Sequence, residues 1–265
     1  MSFLTLEHVT HYYFSKDSYV KALDNISFTI KEGEFISLLG PSGCGKSTLL
    51  SIIAGIIHQT EGQVCLQKEE LINQNQAIGY MLQQDYLFPW KTIIENVLIG
   101  PKIHSNITEE IKQNAISLLN EVGLKDVESK YPSELSGGMR QRVALVRTLI
   151  NDPKILLLDE PFSALDYQTK LKLEDLVSKL LKTYKKTAVL VTHDIGEAIA
   201  MSDRIILLNS HPGSVAKIYD VPLELRDEMP LHVRKHPKYQ LLFDKVWDQL
   251  EQKDDSSPLR DDEHE

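Results

Sequence analysis

The segment Phe35-Ile36-Ser37-Leu38-Leu39 is apolar at four of its five positions and runs straight into Gly40-Pro41-Ser42-Gly43-Cys44-Gly45-Lys46-Ser47-Thr48. The residues that follow predict a helix from Lys46 to Ile57. A strand apolar on both faces belongs in the middle of a parallel sheet. One that passes through a glycine-rich turn directly into a helix leaves few folds open. The first eight of these nine residues match G-x-x-x-x-G-K-[ST], a loop whose glycines let successive backbone N–H groups point inward at a polyphosphate. The helix directs its positive end at the same anion. Each residue from Gly40 to Thr48 is therefore a candidate nucleotide contact. Lys46 is expected to reach the β- and γ-phosphates, and the Ser47 hydroxyl to face Mg²⁺. A chance match is the plainer reading, and the strand–turn–helix context argues against it.

A second apolar strand, Ile155-Leu156-Leu157-Leu158, ends in the adjacent carboxylates Asp159 and Glu160. Asp159 is expected beside the phosphates, holding the water shell of Mg²⁺. Glu160 is then free to orient or deprotonate an attacking water. A solvated acidic strand end is the plainer reading, and the neighbouring phosphate loop argues against it.

The remainder is an α/β pattern with an interruption. Leu4, Leu6, Val9, Tyr12 and Tyr13 mark an early β-segment, and Ile26, Phe28 and Ile30 alternate as a half-buried strand. From Asp85 to Ile150 the character is helical: Ile111, Ala115, Leu118 and Val122 share one face, with Thr108 as N-cap and Gly123 at the end. Met139, Val143, Val146 and Ile150 trace another stripe. Strand and helix alternation then resumes through strand Thr187 to Val191, helix Glu197 to Met201 and strand Arg204 to Leu208, which implies a parallel sheet covered on both faces. Pro222 and Pro230 bracket an irregular connection. Beyond it Tyr239, Leu242, Val246 and Leu250 form an amphipathic helix, with Trp247 beside the stripe and docking on the chain's own core the expected role. The organisation expected is 1–84 for the first part of the nucleotide core and 85–150 for a helical insert. Residues 151–221 complete the core, 222–252 form a C-terminal extension, and 253–265 form a disordered acidic tail.

The chain carries 29 Lys plus Arg against 38 Asp plus Glu, a formal net charge of −9. An acidic chain makes a poor general nucleic-acid binder. No apolar run approaches the length of a membrane span, and the N-terminus lacks a signal-peptide pattern. Cys44 and Cys65 stand apart, so neither a zinc site nor a disulfide framework is expected. Cys44 reads as a variable position of the loop, with nothing nearby to activate its thiol.

Leu135-Ser136-Gly137-Gly138-Met139-Arg140-Gln141-Arg142 resembles the signature sequence of the ABC-transporter ATPase family, and the family's other motifs follow in its order over roughly residues 1 to 220. Tyr13 sits where the family stacks an aromatic ring on adenine, with Tyr12 the fallback. Gln83 resembles the Q-loop glutamine, joining Mg²⁺ and water to the helical insert. Ser163-Ala164-Leu165-Asp166 resembles the D-loop, and His193 the switch histidine that contacts the γ-phosphate. The implied fold is a P-loop NTPase core with a mostly parallel sheet, an N-terminal antiparallel β-subdomain and an inserted helical subdomain. Ser136 at a helix N-terminus, followed by Gly137 and Gly138, makes an anion site. In the family that site serves the other copy's nucleotide, so the resemblance implies a head-to-tail homodimer around two ATP molecules.

The resemblance further implies separate integral-membrane permease subunits, a solute-binding protein reached through them, and a place at the cytoplasmic face of the membrane. Asp85-Tyr86-Leu87-Phe88-Pro89-Trp90 lies where the family receives a permease helix; the plainer reading is a core segment of the insert. The Leu-Phe-Pro-Trp run looks like the nitrate, sulfonate and taurine importer branch, whereas His211 departs from the Arg that branch commonly has before Pro-Gly. The alternative is a non-transport ABC ATPase working with a soluble or nucleic-acid partner, though the long insertions typical of those are absent.

Overall fold

The computed structural model describes residues 2–67, 69–70, 77–104 and 106–254. The chain begins with a long hairpin, β1 (Ser2–Phe14) and β2 (Tyr19–Lys31), followed by β3 (Phe35–Leu39) and α1 (Lys46–Ile53). The helix stops short of the expected Ile57 because Gly55 turns left-handed at φ +69°, a conformation that closes a helix end readily at glycine. Strands β4 (Glu61–Leu66), β5 (Glu69–Glu70) and β6 (Ile78–Met81) come next. The helical stretch comprises α2 (Ile93–Val97), α3 (Ile99–His104), α4 (Glu109–Glu121) and α5 (Gly137–Leu149). Thr108 caps α4 by accepting from the Ile111 N–H at 3.3 Å, and Gly123 follows its end at φ +75°, as the sequence predicts.

Then follow β7 (Ile155–Asp159), α6 (Tyr167–Thr183), β8 (Thr187–Thr192), α7 (Ile195–Met201), β9 (Arg204–Asn209) and β10 (Ser214–Asp220). Two sheets result. One is antiparallel with order β2-β1-β4-β5; the other has order β10-β9-β3-β8-β7-β6 and is parallel from β9 to β6. Side chains alternate across the second sheet. Ile155 and Leu157 join one core with α1 and the hairpin, while Leu156 and Leu158 join another with the insert. Each such leucine, fully buried, contributes about 1.5–3 kcal/mol. The order brings the C-terminal ends of β3, β8, β7 and β6 side by side at one edge of the sheet. Functional side chains of an α/β sheet collect at that edge.

Four strands escape the sequence reading: β4, β5, β6 and β10. The connection bracketed by Pro222 and Pro230 is also more ordered than expected. It holds two single-turn helices, α8 (Leu223–Arg226) and α9 (Pro230–Val233), with Pro222 as N-cap of the first and Pro230 at the first position of the second. Helix α10 (Pro237–Asp254) then docks through Leu242 and Val246 on a core formed by α7, β9 and β10, and Trp247 stays half exposed. The expected acidic tail lies, from residue 255 on, outside the described residues. Among the described residues no helix is long and apolar enough to cross a membrane. In the Asp85 to Trp90 segment Leu87 is buried, while Tyr86, Phe88 and Trp90 are exposed, the last two with ring centroids 5.3 Å apart.

The C-terminal segment is also tied in by charge. Arg234 Nη2 lies 2.8 Å from Glu174 Oε2 on α6, and Glu174 has no exposed surface. Neither carboxylate oxygen takes a directed hydrogen bond among the described residues. Burial pushes this carboxyl up to about 7, against the pull of Arg234 and Lys170 and with the repulsion of Glu197. The folded state thus holds the proton more tightly than the unfolded chain. The associated stability is complete below pH 4.5 and lost as pH rises through about 7. At ~1.4 kcal/mol per pH unit this is worth about 3 kcal/mol. Denaturant midpoints are expected to fall between about pH 5 and about pH 8, and Glu174→Gln to remove that part of the fall. An unchanged pH slope in the variant would place the titration elsewhere.

Candidate functional site

The loop after β3 folds over its own lysine. Lys46 Nζ donates to the carbonyls of Gly40 at 2.7 Å and Pro41 at 2.8 Å, and the residue is buried. Gly45 takes φ +90°, and a Cβ there would meet Leu23 Cδ2 at 2.7 Å and the Ala22 carbonyl at 3.0 Å, so only glycine fits. As N-cap of α1 it offers no side chain to the first turn's N–H groups, leaving them for a ligand. Cys44 is buried, and burial pushes its thiol up, consistent with an inert position.

Asp159 ends β7 opposite this loop. The Ser47 hydroxyl donates to its Oδ1 at 3.4 Å and the Tyr80 hydroxyl to its Oδ2 at 3.2 Å. Burial raises the Asp159 pKa, opposed by those two hydroxyls, and Tyr80 is pushed up to about 12 by burial and by the Asp159 charge. A half-buried carboxylate beside a serine hydroxyl is a hard-oxygen donor set of the kind Mg²⁺ accepts, and it gains from a cation's charge.

The next residue turns sharply. Glu160 has φ +44°, a left-handed conformation that costs a non-glycine residue about 1 kcal/mol or more, and its N–H is held by the Val191 carbonyl at 3.0 Å. The turn aims its carboxylate at two expected partners. Oε1 lies 3.2 Å from His193 Nδ1, and Oε2 receives a long contact of 3.5 Å from Gln83 Nε2. Gln83 Nε2 also donates to Ser163 Oγ at 3.2 Å, and Ser163 Oγ to the Glu160 carbonyl at 3.0 Å. Gln83, Glu160 and His193, drawn from three separate strand ends, thus meet at one point.

A cleft of about 420 Å³ lies over the loop, lined by Ser42, Gly43, Gly45, Lys46, Ser47 and Thr48 together with Tyr13 and Glu160. Tyr13 stands half exposed at its rim, its hydroxyl 3.2 Å from Thr48 Oγ1 and its ring 4.7 Å from the edge-on ring of His11. Tyr12 instead turns towards Phe14, Tyr19 and Lys21. His211 and Pro212 line the cleft as well.

Ser136, Gly137 and Gly138 are not among that lining. Ser136 caps α5, accepting from the Met139 N–H at 3.4 Å, and it stays exposed with Gly137. Gly138 is buried where a Cβ would meet Thr169 Cγ2 at 2.5 Å, so α5 begins against the start of α6. Asp166 caps α6 through the Thr169 N–H at 3.1 Å, and hydrogen bonds from Thr169 lower its pKa. It likewise does not line the cleft. The insert is laced to the Gln83 segment: Gln141 Nε2 donates to the Gln83 carbonyl at 3.0 Å and Arg140 pairs with Asp85 at 2.9 Å.

Sequence reasoning missed Tyr80 altogether, and it named Ser163 and His211 only within motifs, without placing either side chain at the site.

The family model for the ABC transporter matches residues 23–163. YtlC of Bacillus subtilis, an uncharacterised ABC transporter ATP-binding protein, is 59% identical, covering 94% of this chain and 96% of its own. The taurine import ATP-binding protein TauB of a Jannaschia species is 41% identical over 88% of this chain and 89% of its own. The aliphatic sulfonates import ATP-binding protein SsuB of Bacillus anthracis is 37% identical over 82% and 85%. Among solved structures, a dimeric post-hydrolysis state of the ATP-binding cassette MJ0796 bound to ADP and Pi superposes with a TM-score of 0.74 at 35% identity, covering 83% of this chain and 99% of its own. With the family model over more than half of its length and relatives of 37% to 59% identity over most of it, the chain belongs to the ABC transporter family, as one of its ATPase subunits.

Proposed function

We propose that two copies of this chain close head to tail around two ATP molecules and drive the permease subunits of an importer for a small anion such as a sulfonate, taurine or nitrate. The observation that carries the dimer is the exposed Ser136–Gly137 helix end, an anion site outside its own chain's cleft. A phosphate held by Lys46 and the α1 N-terminus in one copy then meets Ser136 of the other. The relatives named for taurine and aliphatic sulfonate import, at 41% and 37% identity, support the solute class. The exposed Phe88 and Trp90 are the surface offered to the permease. The chain then sits peripherally on the cytoplasmic face, and a solute-binding protein is reached only through the permease.

In this reading Lys46 leaves the Gly40 and Pro41 carbonyls for the β- and γ-phosphates, and Tyr13 receives the adenine. Ser47, Asp159 and Gln83 would hold Mg²⁺, which supplies charge neutralisation to the phosphates when bound. Glu160 accepts a proton from the attacking water as the bond from the γ-phosphorus to the bridging oxygen breaks, giving ADP and phosphate. His193 hydrogen-bonds the γ-phosphate and is held by Glu160 in turn. Asp166 and Ser163 place the turn before α6 at the dimer face.

Mixing tests the geometry. A Lys46→Ala chain and a Ser136→Glu chain are each expected to be inactive, whereas their mixed dimer pairs one intact loop with one intact signature. Random pairing restores roughly a quarter of wild-type ATPase activity. No recovery on mixing would overturn the head-to-tail arrangement. For transport, affinity capture from detergent-solubilised native membranes should return a polytopic permease. A stoichiometric soluble or nucleic-acid partner in its place would overturn the importer.

A further inference from the structure

His193 is more than half exposed, so packing around its ring does not fix it; the backbone beneath must. That backbone is tied on both sides to one lysine of α6. Lys170 Nζ lies 2.6 Å from Asp194 Oδ2 and 2.5 Å from Glu197 Oε1. Glu197 is buried, and its other oxygen accepts the Thr192 hydroxyl at 2.5 Å. Thr192 Oγ1 in turn accepts the Asp194 N–H at 2.9 Å, and Asp194 Oδ1 accepts the Glu197 N–H at 3.2 Å, capping α7. The residues before and after His193 are thus closed into a single loop of bonds whose one cation is Lys170. A buried charge stripped of its partner is costly, so the loop has one favoured arrangement. One turn further along α6, Glu174 meets Arg234, and the Tyr239 hydroxyl comes within 2.9 Å of where a Gly196 Cβ would stand. The C-terminal segment closes over the same joint.

We infer that Lys170 is a positioning residue for ATP hydrolysis, acting through Asp194 and Glu197 to hold the backbone that carries the His193 imidazole against Glu160. The inference rests on the role given to His193 above. Lys170 does not line the nucleotide cleft, so it makes no contact of its own with the substrate there. A misplaced catalytic group lowers the rate without loosening the substrate.

Lys170→Met is expected to lower kcat about ten- to a hundredfold, with KM and the Kd for Mg-ATP raised at most about threefold, and Lys170→Arg to restore most of the loss. A wild-type kcat in Lys170→Met, or a raised KM at unchanged kcat, overturns the proposal. Where Lys170→Met fails to fold, Asp194→Asn carries the test. Asparagine still caps α7 while losing the ion pair, so the same fall in kcat is expected, and an unchanged kcat overturns it. In single turnovers with a His193→Ala chain, adding Lys170→Met should cost nothing more. A further multiplicative fall shows that Lys170 does not act through His193 and overturns the proposal. A His193→Ala chain with wild-type kcat removes the role of His193 itself, and this inference with it.

Discussion

Glu160→Gln is expected to bind Mg-ATP as the wild type does, to turn over about 10²- to 10⁴-fold more slowly, and to accumulate as an ATP-loaded dimer on size-exclusion chromatography. The reasoning is local. Glutamine keeps the length of the side chain and an acceptor oxygen for the 3.2 Å contact to His193 Nδ1, giving up only the long 3.5 Å contact from Gln83 Nε2. The left-handed backbone at this position is no harder for Gln than for Glu. Of its chemistry, only the ability to take the water's proton is lost. Lys46 and the α1 N-terminus are untouched, so affinity should stay while the chemical step stalls. Normal turnover in this variant would remove Glu160 from the role of water activator.

Lys46→Ala should fail earlier, at binding. In the parent the ammonium is buried and held by two carbonyls, so a phosphate that recruits it exchanges neutral acceptors for charged ones. Hydrogen bonds to charged groups are worth about 1.5–3 kcal/mol each. Two phosphates served by one lysine correspond to a rise in Kd of roughly a hundredfold or more, read by calorimetry with Mg-ATP. Alanine is a good helix former, so α1 should survive the change. Unchanged affinity would count against the cradle.

These two residues were legible in the sequence for the same reason: each lies in a contiguous motif directly after an apolar strand, so position and chemistry are read together. The strands that went unread are the ones that little apolar pattern marks. Strands β6 and β10 are the two edges of the parallel sheet, and β10 buries only Tyr219 fully. Strand β4 buries only Val64 and Leu66. Tyr80 follows from the same gap, since its contact with Asp159 depends on β6 lying beside β7. His211 enters the cleft only through tertiary folding, when its turn packs against Ala22 and Asp24 of β2 and the Cys44 carbonyl. Asp166 shows the opposite case. Its motif resembles a family unit, and the side chain within this one chain caps α6.

The ion pair between Arg234 and Glu174 has a consequence for anyone trimming this protein. By sequence, Val221 looks like the natural place to cut, because the recognised motifs end before it. In energetic terms no seam exists there. A chain ending at Val221 would strand Glu174 in the core without its cation, driving its carboxyl further towards the protonated form, and would bare the apolar floor under Val233 and Val246. The smallest portable version of this cassette therefore runs through α10.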